Sequence, residues 1–263
     1  MNFKMKALVA AAVAVMSVSG AANAALTSGV AGDGGLVLTL LDRSSNVSAT
    51  FDLGLSYSTF AAGTAGASTS ASWNLASGDY AAAWTEFFSL ATANNVVWNI
   101  ASTDNLGLST TAGTKGFITT TREGAAITPI IRTTQISTLA TNFDKYVDAA
   151  AQLGNHGSVA NGASVATSGS AYAAIALNGD KVANVGPLAT SGLDKTQGVV
   201  QYLAGLGSTG YQTPIVYEGT FFLGSNGALN YTVAVAVPEP ETYGLMLAGL
   251  ALVGAAARRR KSA

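Results

Sequence analysis

The sequence predicts a mainly β body with two helices, an antiparallel β-sandwich-like fold, flanked by a cleavable signal peptide and a C-terminal transmembrane helix. Three observations predict it. Several short segments alternate with a period of two, two stretches carry helical spacing, and an apolar run lies beside basic residues at either end of the chain. The chain has 263 residues without obvious duplication, which points to one main domain of roughly 200 residues. The boundaries read as a signal peptide over 1–24, an exported body over 25–236, and a tail over 237–263.

Within the body, Val47, Ala49, Phe51, Leu53, Leu55 and Tyr57 share one face of a half-buried strand over 47–59. Residues 36–41 are its partner, with turn formers over 42–46 between them. Val96, Trp98 and Ile100 alternate again, as do Phe117, Thr119 and Thr121. Near the end, 215–223 and 228–237 flank Gly224-Ser225-Asn226-Gly227, and Asn-Gly between β-rich runs signals a hairpin. Helical spacing appears where Asp79 can cap a segment bearing Tyr80, Trp84, Phe87, Phe88 and Ala91. It appears again as a stripe of Ile136, Leu139, Ala140, Phe143, Val147, Ala150 and Leu153, stopped by Gly154 and Asn155. The Gly, Ser, Ala and Asn-rich stretch over 157–170 reads as an exposed loop.

Composition bounds the function. Only 10% of residues are charged, against about 25% in ordinary domains, so the surface is expected to be neutral and hydroxyl-rich. Net charge is −1, and Lys4, Lys6, Arg258, Arg259, Arg260 and Lys261 all lie at the ends, which leaves the body acidic. A nucleic-acid partner is therefore not expected. There is no cysteine, which excludes disulfides, thiolate metal sites and cysteine nucleophiles.

Lys4 and Lys6 precede an apolar run over 7–18, followed by Gly20 and the small-residue triplet Ala22-Asn23-Ala24. This is the three-part layout of a secretory signal peptide, with cleavage by signal peptidase expected after Ala24 and passage through the secretion translocon. At the other end Val237-Pro238-Glu239-Pro240 stops the last strand, since proline lacks the backbone donor and restricts its predecessor. An uncharged segment over 243–257 follows and closes on Arg258, Arg259, Arg260 and Lys261. The positive-inside rule places those cations in the cytoplasm and the body outside an inner membrane. Fifteen helical residues cover only about 22 Å of a hydrocarbon core about 30 Å thick, so the flanking residues and arginine stems must extend the span.

Pro238-Glu239-Pro240, the apolar segment and the Arg-rich end closely resemble the PEP-CTERM sorting signal of Gram-negative bacteria, a tail also catalogued as an ice-binding protein C-terminal domain. The resemblance implies an exosortase-type membrane protease as partner, cleavage near Pro-Glu-Pro, a transient inner-membrane anchor with the body in the periplasm, and a final place at the cell surface or outside. It also implies an exopolysaccharide and biofilm-matrix setting. It covers about a tenth of the chain and carries no function for residues 25–236.

The body itself shows no assembled chemistry in sequence, and no catalytic, cofactor or metal residue is assigned. His156, the only histidine, sits between Asn155 and Gly157 and reads as a solvated turn residue. Gly205, Gly207 and Gly210 match Gly-x-Gly-x-x-Gly, but Pro214 argues against the helix a dinucleotide site needs. Glu86, Glu123 and Glu218 are the body glutamates, and paired carboxylates would suit glycoside hydrolysis. Asn46-Val47-Ser48 and Asn230-Tyr231-Thr232 fit the N-glycosylation pattern, weakly in a bacterium. Thr119-Thr120-Thr121 would bind water or sugar only if arrayed on an open flat face. The leading expectation is a non-enzymatic surface or extracellular-matrix protein. Its rivals are a secreted polysaccharide-acting enzyme and an adhesin or ice-binding module.

Overall fold

A computed structural model describes residues 26–60, 70–108, 110–122, 124–127, 131–176 and 190–233. Ala22, Ala24, the Val237–Pro240 motif, the apolar segment over 243–257 and the basic stop lie outside the described residues. No helix among the described residues is long and apolar enough to cross a membrane.

In chain order the strands are β1 (Gly35–Asp42), β2 (Val47–Ser56), β3 (Ala71–Asn74), β4 (Val97–Asp104), β5 (Gly116–Arg122), β6 (Ala163–Ala166), β7 (Ser191–Gly192), β8 (Lys195–Leu203), β9 (Ile215–Val216), β10 (Thr220–Leu223) and β11 (Ala228–Thr232). The helices are α1 (Tyr57–Phe60), α2 (Ala81–Leu90), α3 (Thr133–Ala150) and α4 (Ala173–Ala176). All strand pairs are antiparallel, in the order β3-β11-β10-β8-β5-β4-β1-β2-β6, with β7 beside β4 and β9 beside β8.

This corrects the expected sandwich. The β5–β8 ladder runs unbroken from Gly116↔Leu203 to Arg122↔Gln197, so what would have been two facing sheets is one continuous sheet. It curls as a half-barrel until Trp73 on edge strand β3 donates its indole N–H to the Leu53 carbonyl of β2 at 2.9 Å. Curling closes one face around an aromatic core of Phe51, Phe60, Trp98, Phe221 and Tyr231, with α2 packed alongside. Phe60 stacks on Tyr217 at 5.5 Å between ring centroids and meets Tyr231 edge-on at 5.2 Å, geometries that add to simple area burial.

The opposite face is covered by α3. Alternation along β1 sends Leu36, Leu38 and Leu40 into the aromatic core and Val37 toward Phe117, Ile136, Leu139, Phe143 and Tyr146. All eight residues of β1 are buried, which is why 36–41 shows a nearly continuous apolar run rather than clean alternation. The strip beneath α3 also carries hydroxyls, and α3 supplies their partners. Tyr146 Oη lies 3.0 Å from Thr39 Oγ1 and 2.6 Å from Thr50 Oγ1. Asp144 Oδ1 accepts from Gly29 N at 2.9 Å and Thr103 Oγ1 at 2.6 Å, and Oδ2 accepts from Asn105 Nδ2 at 3.2 Å. Both residues are buried, so these bonds replace lost hydration rather than decorate a surface.

Replacing Tyr146 by Phe removes the shared partner of Thr39 and Thr50 while keeping the ring. The expected loss is about 1–3 kcal/mol of unfolding free energy, read by urea denaturation at neutral pH. A Tyr146→Phe chain as stable as the parent would contradict the role given to this contact.

Candidate functional site

His156 is where the structure departs furthest from expectation. It is fully buried, not solvated. After α3 the chain turns back at Gly154, whose φ of +59° suits glycine, and a Cβ there would lie 2.0 Å from the Ala163 carbonyl oxygen. Asn155 then holds edge strand β6 from outside. Its backbone N–H donates to Ala163 O at 3.2 Å, and its Oδ1 accepts from Ala163 N at 2.7 Å. Its Nδ2 donates to Asp79 O at 2.8 Å, which ties the turn to the segment before α2. The stretch over 157–170 is thus not one exposed loop: it contains β6, with Ala163 and Ser164 buried against β2.

Beneath this clamp His156 Nε2 lies 3.1 Å from Ser164 Oγ, which also reaches toward Ala150 O at 3.4 Å. Nδ1 has no partner among the described residues. Burial pushes the imidazole pKa down to about 4, so His156 is neutral at pH 7. A histidine and a serine at hydrogen-bond distance suggest a nucleophile and its base, yet no described third group orients Nδ1, and Ser164 is only 3% exposed. The pair reads as packing of a polar group against its one available partner.

The carboxylates do not assemble as glutamate pairs. Glu86 on α2 and Glu218 between β9 and β10 are both exposed and sit on separate elements, and Glu123 lies outside the described residues. Glu86 instead shares a cavity of about 160 Å³ with Asp79, Asn155 and Ser164 at the β6 edge. Asp79 does not cap α2; it sits in a single 3₁₀ turn that leads into it, and no side-chain cap is made. No group of three or more His, Cys, Asp or Glu among the described residues could hold a metal ion.

Thr119 and Thr120 lie in the middle of the sheet, 5% and 1% exposed, and both hydroxyls accept from Asn99 Nδ2 at 3.0 Å. They offer no face to water or sugar. Asn46, at φ +51°, is exposed in the β1–β2 turn, whereas Asn230 is half-buried inside β11.

Gly205, Gly207 and Gly210 belong to a tight loop that leaves β8, closes through the Ala204↔Tyr211 bridge, and precedes β9 rather than a helix. The loop docks on the start of α3. Thr133 Oγ1 lies 2.9 Å from Gly205 N and 3.0 Å from both Gly205 O and Gly210 O. Thr133 N donates to Gly210 O at 2.8 Å, and Thr134 N to Ser208 O at 3.1 Å. Between this loop, the first turns of α3 and the β4–β5 connection lies a cavity of about 490 Å³, lined by Asn105, Leu108, Thr134, Ser137, Gly207 and Ser208 among others. Sequence reasoning did not find it, because three separate segments, 105–108, 133–137 and 207–208, build it.

Lowering the pH from 7 to about 4 crosses the unfolded histidine pKa near 6.5 before the folded one near 4, so the unfolded chain takes up the proton first and the stability contributed by neutral His156 is lost over that window. Burial raises Asp52 to about 6, against a bond from Gly54 N, and so acts oppositely between about 6 and 3.8. Comparison with His156→Gln cancels that second contribution. The parent chain is expected to lose about 2–3 kcal/mol relative to the variant between pH 7 and pH 4 in paired urea titrations. Parallel pH curves for the two chains would mean that the imidazole is not buried neutral.

Compared with protein families, residues 236–261 match the PEP-CTERM protein-sorting motif. The chain matches no curated protein and no solved structure. The matched residues take in Val237–Pro240, the apolar segment and Arg258–Lys261, so the C-terminal tail is a PEP-CTERM sorting motif. Such motifs are processed by exosortase, a membrane protein, and the tail marks the chain for export and surface sorting through a membrane-associated step.

Proposed function

We propose that the body is a non-catalytic surface or extracellular-matrix protein. A signal peptide ending at Ala24 exports it, the segment over 243–257 holds it transiently in the inner membrane with the body in the periplasm, and exosortase cleaves it near Pro238-Glu239-Pro240. The observation that carries the reading is the sorting motif over 236–261, standing behind a body that packs into a two-faced sheet without any cysteine. The charge-poor composition agrees with it, since a neutral hydroxyl-rich surface suits a hydrated matrix.

The rival reading, a secreted polysaccharide-acting enzyme, draws support from Asp79 and Glu86 in one cavity. At about 160 Å³ that cavity is well under the roughly 300 Å³ at which ligand pockets begin, which favours the non-catalytic reading.

The sorting step is tested in the tail itself. Pro238→Ala combined with Glu239→Ala is expected to leave the uncut precursor in the inner-membrane fraction, at least about tenfold enriched over the parent by immunoblot, because the protease loses its recognition element. Release at the parental level would overturn the assignment of these residues.

A further inference from the structure

The cavity at the start of α3 is built to receive something uncharged. No Asp, Glu, Lys or Arg among the described residues lines it. The helix terminus offers no hold for an anion, since the N–H groups of Thr133, Thr134 and Gln135 are already given to Gly210 O, Ser208 O and Arg132 O. The nearby cation Lys115 donates to the Leu106 carbonyl and lies 3.9 Å from Asp104 Oδ1.

Its polar groups, in contrast, are unspent. Among the described residues the hydroxyls of Thr134, Ser137 and Ser208 make no hydrogen bond, and Asn105 uses Nδ2 on Asp144 and Thr141 while its Oδ1 accepts nothing. Thr134 and Ser137 lie three residues apart on one helix face, with Ser208 on the loop that closes the cavity. Leu108, 5% exposed, lines the same cavity beside Gly107, which is held at φ +62°. Its side chain supplies apolar contact beside the hydrogen-bonding groups. The volume of about 490 Å³ falls within the range of small-molecule sites.

We propose that this cavity binds a neutral sugar residue of a glycan, with Thr134, Ser137, Ser208 and Asn105 bonding its hydroxyls and Leu108 meeting its C–H face. The ligand class deepens the surface role above and rests on that reading only for where the glycan is encountered. Thr133 holds the loop through Gly205 and Gly210, so the site is formed before the ligand arrives and little ordering is needed on binding.

The test titrates the full chain in detergent micelles with maltohexaose, cellohexaose and chitohexaose, and with an anionic oligogalacturonate, by calorimetry. At least one neutral oligosaccharide is expected to bind, with affinity falling about tenfold or more in Ser208→Trp, which fills the mouth, and about three- to tenfold in Ser137→Ala, which removes one bonding group. Melting temperatures of both variants should match the parent. No binding of any neutral oligosaccharide, stronger binding of the anionic one, or full affinity in Ser208→Trp would overturn the site. Reducing ends are counted in the same samples: their growth on binding leaves the sugar site standing but ends the non-catalytic reading, so the two fail separately.

Discussion

The body depends on α3 lying flat across the outer face of its central strands. A curled sheet can bury its concave side by itself, as this one does around Phe51, Trp98 and Phe221, but its other side must meet water or a second layer. Here that side carries Val37, Phe117, Thr39, Thr50 and Thr103, too apolar to leave open and too polar to seal with aliphatic packing alone. The helix answers both demands. Ile136, Leu139, Phe143 and Val147 cover the apolar part, while Tyr146 and Asp144 supply partners for the buried hydroxyls and for Gly29 N. The same helix ends in the turn that leads to Asn155 and His156, and it begins under the glycine loop that closes the larger cavity.

That arrangement explains what the sequence could and could not disclose. The β1–β2 pair was legible because Val47, Ala49, Phe51 and Leu53 keep strict alternation and a turn follows β1. The final hairpin was legible through Gly227, whose φ of +86° is what an Asn-Gly turn requires, and the α3 stripe through its spacing. Strand β8 was hidden because its inward positions include Gln197 and Gln201, which bond Trp98 O and the Tyr57 hydroxyl inside the core. An inward glutamine erases the period-two signal. Missing β8 also hid the seam with β5 that makes one sheet of two.

Strand β6 and His156 were obscured by small residues. Gly162 approaches so closely that a Cβ there would lie 2.4 Å from His156 Cα, and Ala163 and Ser164 are small residues buried against β2. Glycine needed for close approach and glycine in an open loop look alike in one sequence. The sorting motif was legible for the opposite reason: Pro-Glu-Pro, an apolar run and a cationic stop are contiguous, and they need no tertiary contact to be recognised.

A chain without cysteine that is delivered outside a cell has only packing and hydrogen bonds to keep it folded, so helix and sheet must stand or fall together. Native-state hydrogen exchange of the full chain measures this directly. The amides of β1, β4 and α3 are predicted to exchange with a single free energy equal to that of global unfolding. Protection of Leu139–Val147 lower than that of β1 by about 2 kcal/mol or more, a roughly 30-fold difference in opening, would show that α3 comes away alone and would contradict the account.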